Sequence, residues 1–270
     1  QPRSRGLGDV YKRQPQGKVD TLIEGTGSPI MFIHGTSAQA SIWLPIIQAL
    51  QLNIDWQCIC PNLPGSGKTP RTSLLSIDSI AQQVIGILDA LHIKKCPIIG
   101  ISLGASLALY MASTYAERFS SVVSIGGYLK SQGTSLEKIL DQWKQAIKTD
   151  LHFAASLMLH YFYSDDFLQK KSSQQIDHLI KTMLKQNNWQ GTLEQIELNK
   201  KVNIEPQLLI KQPTLLISGK KDQLVPYEFA NQLYHRIPQA KLIETNTGHI
   251  GIIECPKEIA NILINFIKSK

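Results

Sequence analysis

Near-continuous apolar runs separated by helical patterns constrain this chain more than any other feature of its sequence. Pro29–Ile33, Trp56–Cys60, Pro97–Ile99, Ser121–Ile125 and Thr214–Ser218 lack the in–out alternation of a half-solvated sheet, so both faces of each strand must be covered. Weaker strand signals flank them at Val19–Glu24 and Ala240–Glu244. Helical patterns lie between the runs: Ser41–Leu50, Ile77–Leu91 with Ile80, Val84, Leu88 and Leu91 on one stripe, Ala105–Ala112, and the amphipathic Lys257–Lys268. Strand and helix alternating in this way predict an α/β fold, a mostly parallel, doubly wound sheet with helices on both faces. With 270 residues, 43% of them hydrophobic, the chain can bury one large core, or one core with an insertion.

The alternation stops between Tyr128 and Glu205. Helical patterns around Leu136–Lys148, Leu151–Tyr161 and Ser173–Gln186 make residues 128–205 an expected all-helical cap, inserted into a core formed by 15–127 and 206–270. Its aromatics, Trp143, Phe153, Tyr161, Phe162, Tyr163 and Trp189, read chiefly as the interior of that cap. Residues 1–14 mix Arg, Gly and polar residues without periodicity. They read as an arm outside the fold, in the manner of a translated adaptor.

Charge narrows the range of partners. The formal net charge is +7, but Arg3, Arg5, Lys12, Arg13 and Lys18 against Asp9 put four of those seven charges in the first 18 residues. No later basic run follows, so no nucleic-acid partner is expected. No stretch approaches the roughly 18 apolar residues of a membrane span, and no membrane partner is expected. Cys58, Cys60, Cys96 and Cys255 form no C-x-x-C pair and no zinc-like spacing, so no metal is expected. Cys58 and Cys60 share one face of a strand and cannot easily bridge each other; free thiols in a reducing cytoplasm are the natural reading. Gly65-Ser66-Gly67-Lys68-Thr69 is not a phosphate loop, because the Gly required at 62 is Asn and Pro70 follows where a helix should start.

The chemistry begins at Gly100-Ile101-Ser102-Leu103-Gly104, which lies between a buried strand and a helix. Small residues two positions either side of a serine allow a sharp strand-to-helix turn that exposes the hydroxyl beside a helix N-terminus. A serine hydroxyl attacks only when a base takes its proton, and that base needs an orienting acid. Two strand ends downstream supply candidates: Asp222 after Thr214–Ser218, and His249 after Ala240–Glu244. The order Ser102, Asp222, His249 suits a parallel sheet whose site lies beyond its C-terminal strand ends. Gly35 after Ile33-His34 permits a tight turn, which makes the backbone N–H groups of Thr36 and Leu103 candidates for an oxyanion hole. His34 reads as a loop-shaping residue. His92, His152, His160, His178 and His235 have no partners suggested by spacing, with His152 and His160 placed in the cap as candidate substrate contacts.

Together these residues resemble the α/β-hydrolase fold family, in its branch with a helical cap. The resemblance spans about residues 18–270. It rests on His34-Gly35, Pro64-Gly65-Ser66-Gly67, the turn at Ser102, Gly219-x-x-Asp222-x-x-Val225-Pro226, and Gly248-His249 with Glu254 and Pro256 behind it. It implies a serine hydrolase that needs no metal or cofactor, acting on a small-molecule acyl substrate: a carboxylic ester, thioester or lactone. Carbon–carbon bond hydrolysis, haloperoxidase-like chemistry, lyase chemistry and pure ligand binding remain open on such a scaffold. Oligomeric state and acyl specificity are not legible. The chain departs from the family at Asn62, where Asp is usual, and by offering no clear counterpart of the family's first, antiparallel edge strand.

Overall fold

The computed structural model describes residues 13–14, 17–52, 55–73 and 75–269. The expectation for an N-terminal arm therefore falls almost wholly outside the described residues. Two short strands, β1 (Arg13–Gln14) and β2 (Gly17–Lys18), pair with each other. The main sheet has seven strands: β3 (Thr21–Glu24), β4 (Ser28–Ile33), β5 (Trp56–Pro61), β6 (Cys96–Ile101), β7 (Phe119–Ile125), β8 (Thr214–Gly219) and β9 (Ala240–Thr245). Their spatial order is β3-β5-β4-β6-β7-β8-β9. Every neighbouring pair is parallel except β3 against β5. This corrects one expectation, because Thr21–Glu24 itself supplies an antiparallel edge strand.

The apolar runs are buried on both faces, as their lack of alternation requires. Met31, Ile33, Ile98 and Val122 face one layer, with helices α2 (Ile77–Ala90) and α3 (Leu103–Thr114). Ile30, Phe32, Ile99 and Val123 face the other, with α1 (Leu44–Gln51) and the C-terminal helix Pro256–Lys268. Helix α2 starts on a Ser76–Ser79 capping box. The expected helix from Ser41 begins as a 3₁₀ turn, Ala40–Trp43, before α1. Cys58, Cys60 and Cys96 are buried free thiols, and Cys255 is half-buried. Burial pushes the Cys58 and Cys96 thiols up to about 12, which makes them poor nucleophiles at neutral pH.

Between β7 and β8 the described chain is helical: α4 (Ser135–Thr149), α5 (Leu151–Phe162), α6 (Asp165–Gln169), α7 (Ser173–Gln186) and α8 (Trp189–Lys200). The two ends of this segment are pinned by a Lys130–Asn203 bridge and by the Ile204 N–H donating to the Leu129 carbonyl at 2.9 Å. Trp143 is buried within it, edge-on to Tyr161 and Phe162, whereas Phe153 is exposed. Asn62 has its own place in the core. Its carbonyl accepts from the Ala40 N–H at 2.7 Å, and its amide donates to Asp20 at 2.8 Å. A carboxylate at 62 would face the Asp20 carboxylate, so the amide suits this chain.

Candidate active site

Loops from the C-terminal ends of the parallel strands meet at one edge of the sheet. The turn from β6 into α3 holds Ser102 at φ 57, ψ −124, a left-handed conformation that costs a serine about 1–3 kcal/mol. Its N–H donates to the Ile125 carbonyl at 2.9 Å, and its own carbonyl accepts from the Ala105 N–H at 2.9 Å. The glycines flanking it are required by space. A Cβ on Gly100 would lie 2.0 Å from the Gly104 carbonyl oxygen, and one on Gly35 would lie 2.9 Å from Ser102 Cβ.

Asp222 follows β8 and His249 follows β9. The two loops are laced together by Lys220 and Lys221 N–H groups donating to the Thr245 and Thr247 carbonyls, at 2.8 and 3.0 Å. One Asp222 oxygen, Oδ1, accepts from the Leu224 and Val225 N–H groups at 2.9 and 2.8 Å. The other, Oδ2, lies 2.7 Å from His249 Nδ1, and both side chains are 1% exposed. A carboxylate accepts, so His249 Nδ1 carries the proton and Nε2 is the free base. Nε2 is buried and has no hydrogen-bond partner among the described residues, so it does not yet bond the Ser102 hydroxyl. Such contacts commonly tighten only with substrate in place. Gly126 keeps room for the imidazole: a Cβ there would sit 3.0 Å from His249 Cε1. Behind the imidazole, Glu254 accepts from the Gly248 N–H at 3.1 Å and the Ser164 N–H at 2.7 Å, tying the His249 loop to the start of α6.

Leu103 opens α3, so its N–H has no intrahelical acceptor. Among the described residues, neither it nor the Thr36 N–H donates to a protein acceptor. His34 is fully buried and is not a second base. Its Nε2 accepts from the Leu63 N–H at 2.9 Å, which leaves Nδ1 to donate to the Gly35 carbonyl at 2.8 Å. Burial lowers its pKa from 6.5 to about 4, the bond to Gly35 opposing the shift. The unfolded chain therefore takes up the proton first. The contribution of neutral His34 is complete above pH 6.5 and is lost as pH falls towards 4. Unfolding free energy should drop by about 2 kcal/mol from this group by pH 5, a slope that His34→Gln should lack in chemical denaturation between pH 7 and 5. Identical pH slopes in the two proteins would refute that assignment.

A cavity of about 520 Å³ joins these parts. Ser102, His249 and the Thr36–Ser37 loop line its floor, and Leu159 and Phe162 of α5 and Met183 of α7 line its wall. Tyr163 also faces it, whereas His152 and His160 do not, and no Asp, Glu, Lys or Arg is among its described lining residues. Nothing in the sequence singles out Gln195 and Asn199 of α8. Both are buried and reach the Thr36–Ser37 loop. A pair of amides one helical turn apart was the signal available.

A family model for the alpha/beta hydrolase fold matches residues 28–256. The chain belongs to the alpha/beta hydrolase fold family. Pyrrolizixenacetamide deacetylase of Xenorhabdus hominickii is 28% identical over 256 residues, covering 94% of this chain and 96% of that protein. Monoacylglycerol lipase ABHD6 of Homo sapiens is 27% identical, over 89% of this alpha/beta hydrolase and 75% of the lipase. An esterase structure from Exiguobacterium antarcticum superposes with a TM-score of 0.84 at 18% identity, covering 95% of this chain and 98% of that one, a likeness of fold. Relatives of these kinds support a hydrolase. No helix among the described residues is long and apolar enough to cross a membrane.

Proposed function

We propose that this chain is a serine hydrolase that cleaves a small, uncharged carboxylic ester, thioester or lactone through an acyl-enzyme. The observation that carries the reading is the buried Asp222–His249 pair, with its free Nε2, in one cavity with the strained Ser102. Ser102 Oγ attacks the acyl carbon while His249 Nε2 takes its proton. Asp222 holds the Nδ1–H tautomer and stabilises the imidazolium. The N–H groups of Leu103 and Thr36 receive the developing oxyanion. His249 then protonates the leaving group, and a water that it activates releases the acid.

The substrate is uncharged because the cavity wall offers an ion no counter-charge, and burying an unpaired charge is costly. Residues 128–205 act as a cap whose α5 and α7 side chains shape the acyl site. The activities the relatives are named for, deacetylase and lipase, fit transfer of an acyl group to water.

A fluorophosphonate probe tests this directly. Tryptic mass spectrometry should find the adduct on Ser102 within minutes. A panel of p-nitrophenyl esters, an N-acetyl arylamide and acyl-CoA thioesters should rank the uncharged esters first. A folded protein that binds the probe without an adduct at Ser102 would overturn the reading and leave a ligand-binding protein in its place.

A further inference from the structure

The amides of Gln195 and Asn199 lie one turn apart on α8, 1% and 2% exposed, and both leave the helical segment to grip consecutive residues of the loop after β4. The Ser37 N–H donates to Gln195 Oε1 at 3.1 Å, and Asn199 Nδ2 donates to Thr36 Oγ1 at 3.0 Å. The Gln195 amide cannot be turned over, because a backbone N–H donates to its oxygen and a backbone carbonyl accepts from its nitrogen. Gln195 Nε2 donates to the Pro64 carbonyl at 3.0 Å and to Ser66 Oγ at 2.9 Å. Asn199 Oδ1 accepts from the Tyr128 hydroxyl at 2.6 Å, and the Ser131 hydroxyl donates to the Asn199 backbone carbonyl at 2.6 Å.

The loop they hold is strained. Ser37 has φ 61, which a serine keeps only where its surroundings over-determine it. Asn187, between α7 and α8, adds a bond from Nδ2 to Ser37 Oγ at 2.8 Å. Helix α8 is itself seated on the core. A Cβ on Gly191 would lie 2.3 Å from the Gly65 carbonyl oxygen, and Arg71 pairs with Glu194 at 2.6 Å. Of two successive N–H groups in the loop, the Ser37 N–H is taken by Gln195 and the Thr36 N–H is left for substrate.

The geometry points to Gln195 and Asn199 as positioning residues that aim the Thr36 N–H at the oxyanion, an inference that rests on the serine-hydrolase reading above. On this view α8 is a fixed part of the catalytic apparatus rather than a piece of a moving lid. Removing the Gln195 acceptor orphans a buried N–H and lets the Thr36–Ser37 peptide turn away.

The test compares an ester with its thionoester, whose sulfur is a poor hydrogen-bond acceptor and so draws little from the donors. Gln195→Met should lower kcat on the ester about tenfold, short of the 10²–10³ lost with a whole donor. KM should stay within about twofold, the signature of a contact made chiefly in the transition state. The thionoester rate should barely change, so the ester-to-thionoester ratio falls about tenfold with it. Asn199→Ala and Asn187→Ala make the same comparison where Gln195→Met fails to fold. Equal losses on both substrates, or no loss, in the folded variants would overturn the inference. Wild-type protein that forms no fluorophosphonate adduct at Ser102 would instead overturn the reading beneath it.

Discussion

Asp222→Asn should lower kcat about 10⁴-fold while leaving the protein folded. The reason lies in how the carboxylate is held. Oδ1 accepts two backbone N–H groups, from Leu224 and Val225, so an asparagine must place its carbonyl oxygen there. Its NH₂ then faces His249 Nδ1, 2.7 Å from the Oδ2 position. A donor at that place forces Nδ1 to accept and moves the ring proton to Nε2. The imidazole can then no longer take the proton from Ser102. Steady-state kinetics on a p-nitrophenyl ester, with circular dichroism as the control for folding, would check this. A folded variant within tenfold of wild type would remove Asp222 from the mechanism.

Gly104→Ala should destabilise the fold by about 4 kcal/mol, among the larger effects of a single substitution. The sign is the opposite of the usual one, since Ala ordinarily stabilises a helix interior by about 1 kcal/mol relative to Gly. Gly104 lies in the first turn of α3, where a Cβ would meet the Ile33 carbonyl oxygen at 2.2 Å and the His34 carbonyl oxygen at 2.5 Å. Both obstacles are backbone of the neighbouring strand end, so no change of rotamer relieves them. A loss of roughly 10 °C in Tm is expected for a domain of this size. A variant as stable as wild type would mean that α3 and the end of β4 are not in contact.

The turn at Ser102 and the places of Asp222 and His249 were legible because each follows a strand that announces itself. Gly100 and Gly104 are small for a reason visible in the pattern: the chain must reverse from strand to helix within a few residues. The order of Ser102, Asp222 and His249 along the chain then needs only a parallel sheet to bring three strand ends to one edge. Other features were invisible for equally specific reasons. Helix α8 shows no helical signal in the sequence because the residues it buries include Gly191, Thr192, Gln195 and Asn199, which make no apolar stripe. The antiparallel direction of β3 was hidden because four residues with one buried position carry no sign of strand polarity.

By itself the sequence determined which segments are strands covered on both faces, the turn at Ser102, and the strand ends after which Asp222 and His249 lie. These follow from local rules, in which burial and backbone freedom are written residue by residue. Only the tertiary structure decided which side chains of the helical segment face the cavity, why Asn62 suits its site, and which polar groups hold the Thr36–Ser37 loop. Each of those rests on pairing between residues far apart in the chain, and a buried hydrogen bond is specified by both partners at once. One strand of text cannot display such a match; the folded chain makes it.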